Sequence, residues 1–293
     1  MRVKVSPILY NGSKKRILNK LLNYFPKNIE TFYDLFSGSA IVSMNVLAKK
    51  YVLNDINDHT VELYKAFSKY NTKEIVAHVN KRISEYNLPT RKTRSENLLE
   101  EYKKNFLSLK SYYNKTKKVL DLITLMYFSF SKQFRFNSKG HYNAAFGANK
   151  LFIEYRNIRN GCFFFTKNNV TIYNKDFYKL NLKFKKNDFV YLDPPYYNTE
   201  AVYNTAMGSW TKKNDRKLFK FCEYLNSKGI KFGLSNVFSC RGRINKHLIK
   251  WCAENNWYVK HIKINYSPNG KGVSNADEVF ITNYCTDVKG TFD

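Results

Sequence analysis

The feature that constrains the fold most is a change between strand-like and helix-like segments near the N-terminus. The run TFYDLF (31–36) is rich in β-formers, and the small residues SGSA (37–40) follow it. A helical pattern, IVSMNVLAKK (41–50), then leads to a second strand-like run, YVLND (51–55). Strands and helices that alternate in this way predict a parallel sheet with crossover helices.

The alternation returns in the second half of the chain. Before the first strand, residues 14–25 predict an amphipathic helix that ends at Pro26. Further strands are predicted in NVTIYNKDF (169–177), FVYLDPPYYN (189–198), IKFGLSNV (230–237), WYVKHIKI (257–264) and DEVFITNY (277–284), and further helices over 213–227 and 244–254. The predicted fold class is therefore α/β.

The segment between these halves does not fit the alternation. Residues 61–116 are helical and strongly charged, and VLDLITLMYFSF (119–130) predicts a buried helix. In FSKQFRFNSKGHYNAAFG (130–147), aromatic and basic runs lie on both sides of NSKG, which predicts a β-hairpin with its turn near 138–140. We therefore expect an inserted domain over 58–149, with a catalytic domain formed by 1–57 and 150–293.

The charge balance predicts a polyanionic partner. Fifty Lys and Arg oppose 23 Asp and Glu, which leaves a formal net charge of +27. Nucleic acid is the partner that such a charge fits best, because contacts to phosphates supply most non-specific affinity. AT-rich coding would explain the preference for Lys over Arg, but it explains the shortage of acids less well.

The cysteines and histidines argue against a disulfide-bonded protein and against a metal-binding protein. The five cysteines form no C-x-x-C pair and the five histidines are scattered, so we expect a reduced cytosolic chain without a metal centre. The N-terminus lacks an apolar signal core, and the apolar stretch 119–130 is too short to span a bilayer.

The turn after the first strand is a candidate cofactor site. Asp34 is followed by the small residues 37–39, and Asp55 ends the next strand, where doubly wound folds bind a ribose hydroxyl. A dinucleotide site would need three glycines in G-x-G-x-x-G, and this turn has one. A nucleoside without phosphates, such as S-adenosylmethionine, remains compatible. The alternative is an ordinary turn between a strand and a helix.

The stretch DPPY (193–196) offers two acceptors and a ring at a strand end. The carboxylate of Asp193 and the carbonyl of Pro194 are held on a stiff turn by Pro195, and Tyr196 presents a ring face. This arrangement suits a flat group that bears an NH2, such as adenine. The alternative is a turn that only ends the strand.

Lys14, at the start of the first predicted helix, is a third candidate. A lysine at a helix N-terminus opposes the helix dipole unless a carboxylate is near, and the methionine carboxylate of the cofactor would be such a partner. The alternative is a solvated lysine in a lysine-rich chain.

Together these motifs resemble a known family. D-P-P-Y after a strand, F-x-G before a helix, N-D after the next strand and an N-terminal Y-N-G-x-K resemble the Dam-type (alpha-group) DNA adenine methyltransferases, in particular those of T-even phages. The hairpin segment 130–147 resembles the target-recognition hairpin of that family, and KFGLSNV (231–237) resembles its late strand.

The resemblance implies a Rossmann-like S-adenosylmethionine-dependent methyltransferase sheet with an inserted helical and β-hairpin target-recognition domain. The implied reaction is site-specific methylation of the exocyclic amine of a flipped adenine in duplex DNA. The implied catalytic residues are Asp193, Pro194, Pro195 and Tyr196. The implied residues for S-adenosyl-L-methionine are Tyr10, Asn11, Gly12, Lys14, Asp34, Phe36, Gly38, Ser39, Asp55, Ile56, Asp176, Phe177 and Asp193. The implied DNA contacts are Ser131, Arg135, Asn137, Lys139, Asn149 and Tyr203.

One departure concerns the recognition site. Members of the family that methylate GATC usually carry proline before the closing F-G and an arginine or tyrosine shortly after it. Here Ala145 precedes Phe146, and Ala148 and Asn149 follow Gly147. GATC, a related short site and an AT-rich or relaxed site therefore all stay open.

The resemblance also carries expectations about partners. The expected partner is double-stranded DNA, with no membrane and no metal. A cognate restriction endonuclease is expected if the enzyme belongs to a restriction-modification system, and none if it is a solitary or viral enzyme. We expect a monomer or weak dimer on DNA in the cytoplasm, with a viral or phage origin open. The alternatives are an RNA adenine methyltransferase, a catalytically silent DNA-binding relative and, against the single-glycine turn, a dehydrogenase.

Overall fold

The computed structural model describes residues 3–10, 12–91, 94–147, 154–197, 210–262 and 276–286. Within these residues the strands are β1 (Ile29–Asp34), β2 (Ala48–Asn54), β3 (Asn169–Tyr173), β4 (Phe189–Leu192), β5 (Lys231–Cys240), β6 (Arg243–Ile244), β7 (Tyr258–His261) and β8 (Asp277–Thr282). They form one sheet in the order β3-β2-β1-β4-β5-β8-β7, and β6 pairs with β5.

Strand direction brings the predicted site residues to one edge of this sheet. Strands β1 to β5 run parallel to one another, and β8 lies antiparallel between β5 and β7. The carboxyl ends of β1, β2 and β4 therefore meet at the same edge. The Rossmann-like α/β class that the sequence predicts is confirmed.

Helices cover both faces of the sheet. They are α1 (Leu18–Asn23), α2 (Asp58–Lys69), α3 (Thr72–Glu85), α4 (Glu96–Thr116), α5 (Val119–Phe128), α6 (Tyr155–Lys167), α7 (Lys212–Ser227) and α8 (Lys246–Glu254). Strand residues alternate between two cores, so Phe189 packs with the N-terminal and inserted helices while Val190 packs with α7 and α8. This alternation is the two-residue period of a strand that is buried on both faces.

The predicted helix over 41–50 is wrong. Only a short 3-10 turn, Ser43–Asn45, forms there, and the segment 48–50 already belongs to β2. The Asn45 side chain donates to the carbonyls of Ile41 and Lys4, both at 2.8 Å, and accepts from the amide of Lys4 at 2.8 Å. These hydrogen bonds hold the Asn45 side chain on the backbone and favour a non-helical conformation here. Asn side chains commonly compete with helix formation in this way.

The predicted N-terminal helix is shorter than expected. A 3-10 turn, Lys14–Arg16, precedes α1, and α1 ends three residues before Pro26. Ile17, Leu18 and Leu21 are buried as the periodicity predicts, whereas Leu22 is half-buried.

The inserted segment is helical and ends in a hairpin, as predicted. Helices α2 to α5 lie between β2 and β3 in the chain, and the antiparallel bridges Ser129–Phe146 and Phe136–Tyr142 follow. The turn forms at the predicted place, because the amide of Gly140 donates to the carbonyl of Asn137 at 2.9 Å. The apolar core is continuous between the sheet and these helices.

Candidate active site

Asn54 ties the carboxyl ends of three strands together. Its side chain, almost fully buried, donates to the carbonyls of Leu35 and Lys175, each at 3.0 Å, and accepts from the amide of Lys175 at 3.1 Å. The residues after β1, β2 and β3 are therefore held at fixed distances. The sequence analysis missed this role, although Asn54 is the first residue of the N-D pair.

The turn after β1 is built around a glycine in the left-handed region. Gly38 has φ +48°, and its amide donates to Oδ2 of Asp55 at 2.7 Å. The ring of Tyr10 lies over this glycine, since a Cβ there would come within 3.3 Å of the ring. The Tyr64 hydroxyl donates to the Gly38 carbonyl at 2.6 Å. The backbone of the turn is thus fixed from three sides.

Asp34 has one unpaired oxygen. Oδ2 accepts from the Ser43 hydroxyl at 2.6 Å, whereas Oδ1 is buried without a hydrogen-bond partner among the described residues. Burial raises the pKa of the Asp34 carboxyl to about 7, against the lowering effect of Ser43. Burial likewise raises the pKa of Asp55 to about 6, against the backbone amides that it accepts from. Both acids lack a cation at hydrogen-bond distance among the described residues, so no ion pair offsets the effect of burial on either pKa.

The DPPY motif follows β4 directly, as predicted, and Lys14 reaches it. The Lys14 ammonium lies 2.7 Å from Oδ1 of Asp193 and 5.3 Å from the centre of the Tyr196 ring. The Tyr196 hydroxyl donates to the same Asp193 oxygen at 3.3 Å. Lys14 is therefore not a solvated lysine: only 9% of its surface is exposed.

The Lys14 ammonium and the Asp193 carboxylate each stabilise the charged form of the other. Burial alone would lower the pKa of the Lys14 ammonium, but the Asp193 carboxylate outweighs burial and holds that pKa above its ordinary value. Burial raises the pKa of Asp193, and the Lys14 ammonium opposes that change. Glu278 on β8 is a further acid near this pair; burial raises its pKa, again against Lys14. The sequence analysis missed Glu278, since its strand shows no site motif.

One cavity of about 990 Å³ joins these groups. It contains every predicted catalytic residue and every predicted cofactor residue that the structure describes. These are Tyr10, Gly12, Lys14, Asp34, Phe36, Gly38, Ser39, Asp55, Ile56, Asp176, Phe177, Asp193, Pro194, Pro195 and Tyr196. Asn11 lies outside the described residues, as do the predicted DNA contacts Asn149 and Tyr203.

An aromatic cluster forms part of the cavity wall. Phe36 and Phe177 have ring centroids 5.0 Å apart, and Trp210 lies 5.7 Å from Phe36. The Trp210 indole is oriented by a 2.7 Å hydrogen bond to Asp215. Asp176 accepts from the amide of Tyr178 at 3.1 Å and so begins the turn that carries Phe177. The sequence analysis did not assign Trp210 a role.

The hairpin forms the other wall. Ser131, Arg135 and Asn137 line the cavity, whereas Lys139 is exposed on the turn and is not among the lining residues. The Arg135 guanidinium donates to the side chain and the carbonyl of Asn143, each at 3.0 Å. The His59 ring stacks on Phe136, with centroids 3.7 Å apart, and joins the hairpin to the start of α2.

Comparison with known proteins gives the family. Residues 10–265 match the family of D12 class N6 adenine-specific DNA methyltransferases, and the chain belongs to that family. It is 37% identical to the type II methyltransferase M.FokI of Planomicrobium okeanokoites over 95% of this chain and 43% of that protein. It is 37% identical to the modification methylase StsI of Streptococcus sanguinis over 96% of this chain and 43% of that protein. Identity to the modification methylase LlaI of Lactococcus lactis is 28%, over 96% of this chain and 44% of that protein.

The chain thus spans less than half the length of these three relatives. Within the described ranges, no helix has both the length and the apolar character needed to cross a membrane. The same residues include no group of three or more His, Cys, Asp or Glu side chains placed to hold a metal ion.

Proposed function

We propose that this chain is a site-specific DNA adenine methyltransferase that uses S-adenosyl-L-methionine and methylates the exocyclic amine of a flipped adenine in duplex DNA. The observation that carries the proposal is that Asp193 and Tyr196 face the same cavity as the Gly38 turn. Membership of the D12 class supports the reaction.

The chemistry of the cavity fits the cofactor. S-adenosyl-L-methionine carries an amino group, a carboxylate, a ribose and an adenine, and when bound it supplies an electrophilic methyl group. The unpaired Oδ1 of Asp34 is an acceptor for an ammonium, and Lys14 is a donor for a carboxylate. Asp55 would accept from ribose hydroxyls, and the cluster of Phe36, Phe177 and Trp210 offers apolar ring faces.

The target adenine would occupy the DPPY end of the cavity. A base inside a duplex cannot reach this position, so it must flip, at a cost of a few kcal/mol. Stacking on Tyr196 offsets part of that cost. Hydrogen bonds from the amine to Asp193 and to the Pro194 carbonyl favour a pyramidal nitrogen with a localised lone pair. This geometry belongs more to the transition state than to the ground state, so its stabilisation raises the rate.

Lys14 contacts both groups that would hold the adenine, so we expect it to move when the base enters. Its ammonium binds Asp193 and lies over the Tyr196 ring, which are the two groups proposed to hold the amine and the ring of adenine. When Lys14 turns toward another anion, Oδ1 of Asp193 loses its ion pair and can accept from adenine. The amine then loses its proton after methyl transfer, and Asp193 is the carboxylate placed to accept it.

We propose that residues 58–149 form the recognition unit. Its hairpin would enter the major groove, with Ser131, Arg135, Asn137 and Lys139 as the described contacts. Arginine on guanine is the commonest specific contact, and Arg135 must exchange its bonds to Asn143 for such a contact. The site remains a short sequence such as GATC or a related one.

The names of the three relatives indicate a biological context for the proposed enzyme. Two of them are modification methylases by name and one is a type II methyltransferase, which supports a cytoplasmic role beside a cognate restriction endonuclease. The likeness to T-even phage enzymes stays a prediction, because these three relatives come from bacteria.

Transfer of tritiated methyl groups from S-adenosyl-L-methionine to duplex DNA, single-stranded DNA and tRNA tests the proposal. We expect incorporation into duplex DNA, and long-read sequencing of DNA from cells that express the chain reports the methylated motif. Incorporation into tRNA alone would favour the RNA enzyme. Background incorporation on every substrate would favour a silent DNA-binding relative.

A further inference from the structure

Strand β5 continues well past the active site. β4 ends at Leu192, which pairs with Leu234, and the DPPY motif begins at the next residue. β5 does not end there but runs on to Cys240. At about 3.3 Å per residue, the five residues beyond the level of Asp193 carry its end about 17 Å further.

A tight turn forms the tip of this extension. Cys240 pairs with Arg243 of β6, and the two residues between them, Arg241 and Gly242, have φ +49° and +78°. Two positive φ values at the centre of a two-residue loop are typical of a type I′ hairpin. Residues 241–244 are all exposed, and a Cβ at Gly242 would meet no atom within 4 Å. The tip thus projects into solvent on a backbone of fixed conformation.

The sheet topology places the tip at the same edge of the sheet as the cavity. Val237 of β5 pairs with Glu278, which lines the cavity, and the tip begins a few residues further along the same strand. On the other side, Asn137 and Gly140 of the recognition hairpin line the cavity. The hairpin packs on α2, which follows β2, and the sheet order places β2 and β5 on opposite sides of the β1–β4 pair. The two turns therefore flank the DPPY motif.

The basic residues of the tip include two exposed arginines. The stretch 235–253 contains no Asp or Glu, and Arg241, Arg243 and Lys246 are exposed. Only 11 of the 50 cations of the chain are arginines, yet two of them flank Gly242. Arginine binds phosphate oxygens through two parallel hydrogen bonds, which lysine cannot do.

We propose that the turn Arg241–Gly242–Arg243 binds phosphates of the duplex on the side of the target base opposite the recognition hairpin. The proposal rests on the proposed function, because a flipped base in the cavity brings the DNA backbone to its mouth. The duplex is then held from both sides of the flipped base. The tip carries no base specificity, since phosphate contacts position a duplex without reading its sequence.

The test compares two double variants that remove the same charge. R241Q/R243Q alters the tip, and K27Q/K186Q alters two exposed lysines in the loops before β1 and β4, at the opposite edge of the sheet. Binding of a fluorescently labelled duplex is measured by anisotropy over a range of NaCl concentrations. Thermal unfolding checks that each variant folds, and Arg241→Gln alone serves if the double variant does not.

For R241Q/R243Q we expect binding at 0.1 M salt that is roughly 10- to 100-fold weaker, with a slope of log K against log salt reduced by about 2. The control variant should match the wild type. The methylated sequence and kcat at saturating duplex should not change. An R241Q/R243Q variant with the affinity and slope of the control would overturn the proposal.

A wild type that binds duplex DNA but transfers no methyl group to it would contradict the proposed function and not the proposal for the tip. A wild type that binds no duplex overturns both proposals. Loss of binding to a protein partner, with duplex affinity unchanged, would assign the tip to protein recognition instead.

Discussion

The two walls of the cavity are built by different means. On the sheet wall, Asp34 ends β1, Asp55 and the DPPY motif directly follow β2 and β4, and buried contacts such as those of Asn54 hold the strand ends together. On the hairpin wall, the described backbone is paired by two isolated bridges and by separate hydrogen bonds, such as that from the Asn143 amide to the Arg135 carbonyl, and not by a continuous strand ladder. Side chains of α4, and Lys117 directly after it, also hold that hairpin: Asn114 bonds both backbone groups of Tyr142, and Lys110 and Lys117 donate to hairpin carbonyls.

This difference fits the division of labour that we propose. Methyl transfer needs reacting atoms aligned closely, and a strand end in a packed sheet provides a fixed position. Sequence reading needs a surface that adapts to DNA, and a hairpin held by a few side chains can adjust. The variants below separate the two walls.

The largest effect is expected from Asp193→Asn on the sheet wall. The amide keeps the shape but removes the charge that pairs with Lys14 and accepts from the amine. We expect kcat to fall by about 10²- to 10³-fold, as for the loss of one group that stabilises a transition state. Methyl transfer at saturating duplex measures it.

Asp188→Asn is the matched control, since Asp188 is a buried acid just before the same strand and accepts from the amides of Thr31 and Lys185. It should lower the free energy of unfolding while kcat per folded molecule stays unchanged. Near-normal kcat in folded Asp193→Asn would contradict the proposed mechanism.

Asp34→Asn tests the electrostatics of the same wall. The pKa of Asp34 is raised from an ordinary 3.8 to about 7, so between these values the folded state binds more protons than the unfolded state. The stability of the wild type relative to Asp34→Asn should therefore be highest near pH 4. It should fall by up to about 1.4 kcal/mol per pH unit until pH 7.

Urea unfolding at several pH values measures this difference. A difference that rises with pH would mean that Asp34 is stabilised as a carboxylate. A flat difference would mean that its pKa is ordinary.

On the hairpin wall, Arg135→Ala should cost about 1–3 kcal/mol of discrimination between the methylated site and a site with one changed base pair. Duplex binding and kcat/KM on both sites measure it. Asn143→Ala is the control, because it removes the side-chain acceptor of Arg135 and leaves the guanidinium and the carbonyl of residue 143 in place. An equal loss of discrimination between the two sites in both variants would mean that Arg135 acts by holding the hairpin together.

The smallest effect is expected from Asn114→Ala. It removes two hydrogen bonds to buried Tyr142, which together contribute about 1–3 kcal/mol. Hydrogen exchange of amides in 135–147 should become faster and KM for duplex should rise, while kcat stays the same. Asn105→Ala on the same helix, whose side chain bonds the Asn87 carbonyl, should leave the hairpin amides unchanged.

The sequence predicted the sheet well because strands and their turns are local patterns. The residues that it assigned to the catalytic and cofactor groups line one cavity wherever the structure describes them. It failed over 41–50, where the side chain of Asn45 bonds the backbone of Lys4 in place of a helix. It also missed Glu278 and Trp210, because their strand and loop carry no motif of their own.

The amino-acid sequence was sufficient to predict the α/β class, the DPPY strand end, the hairpin turn and the family, since each depends on residue types at short spacing. Three features came from packing between distant segments: the ion pair of Lys14 with Asp193, an oxygen of Asp34 without a hydrogen-bond partner among the described residues, and the extension of β5 beyond Asp193. Each of these depends on chain segments far apart in sequence that meet at one sheet edge. The periodicity of a single segment carries no information about such meetings.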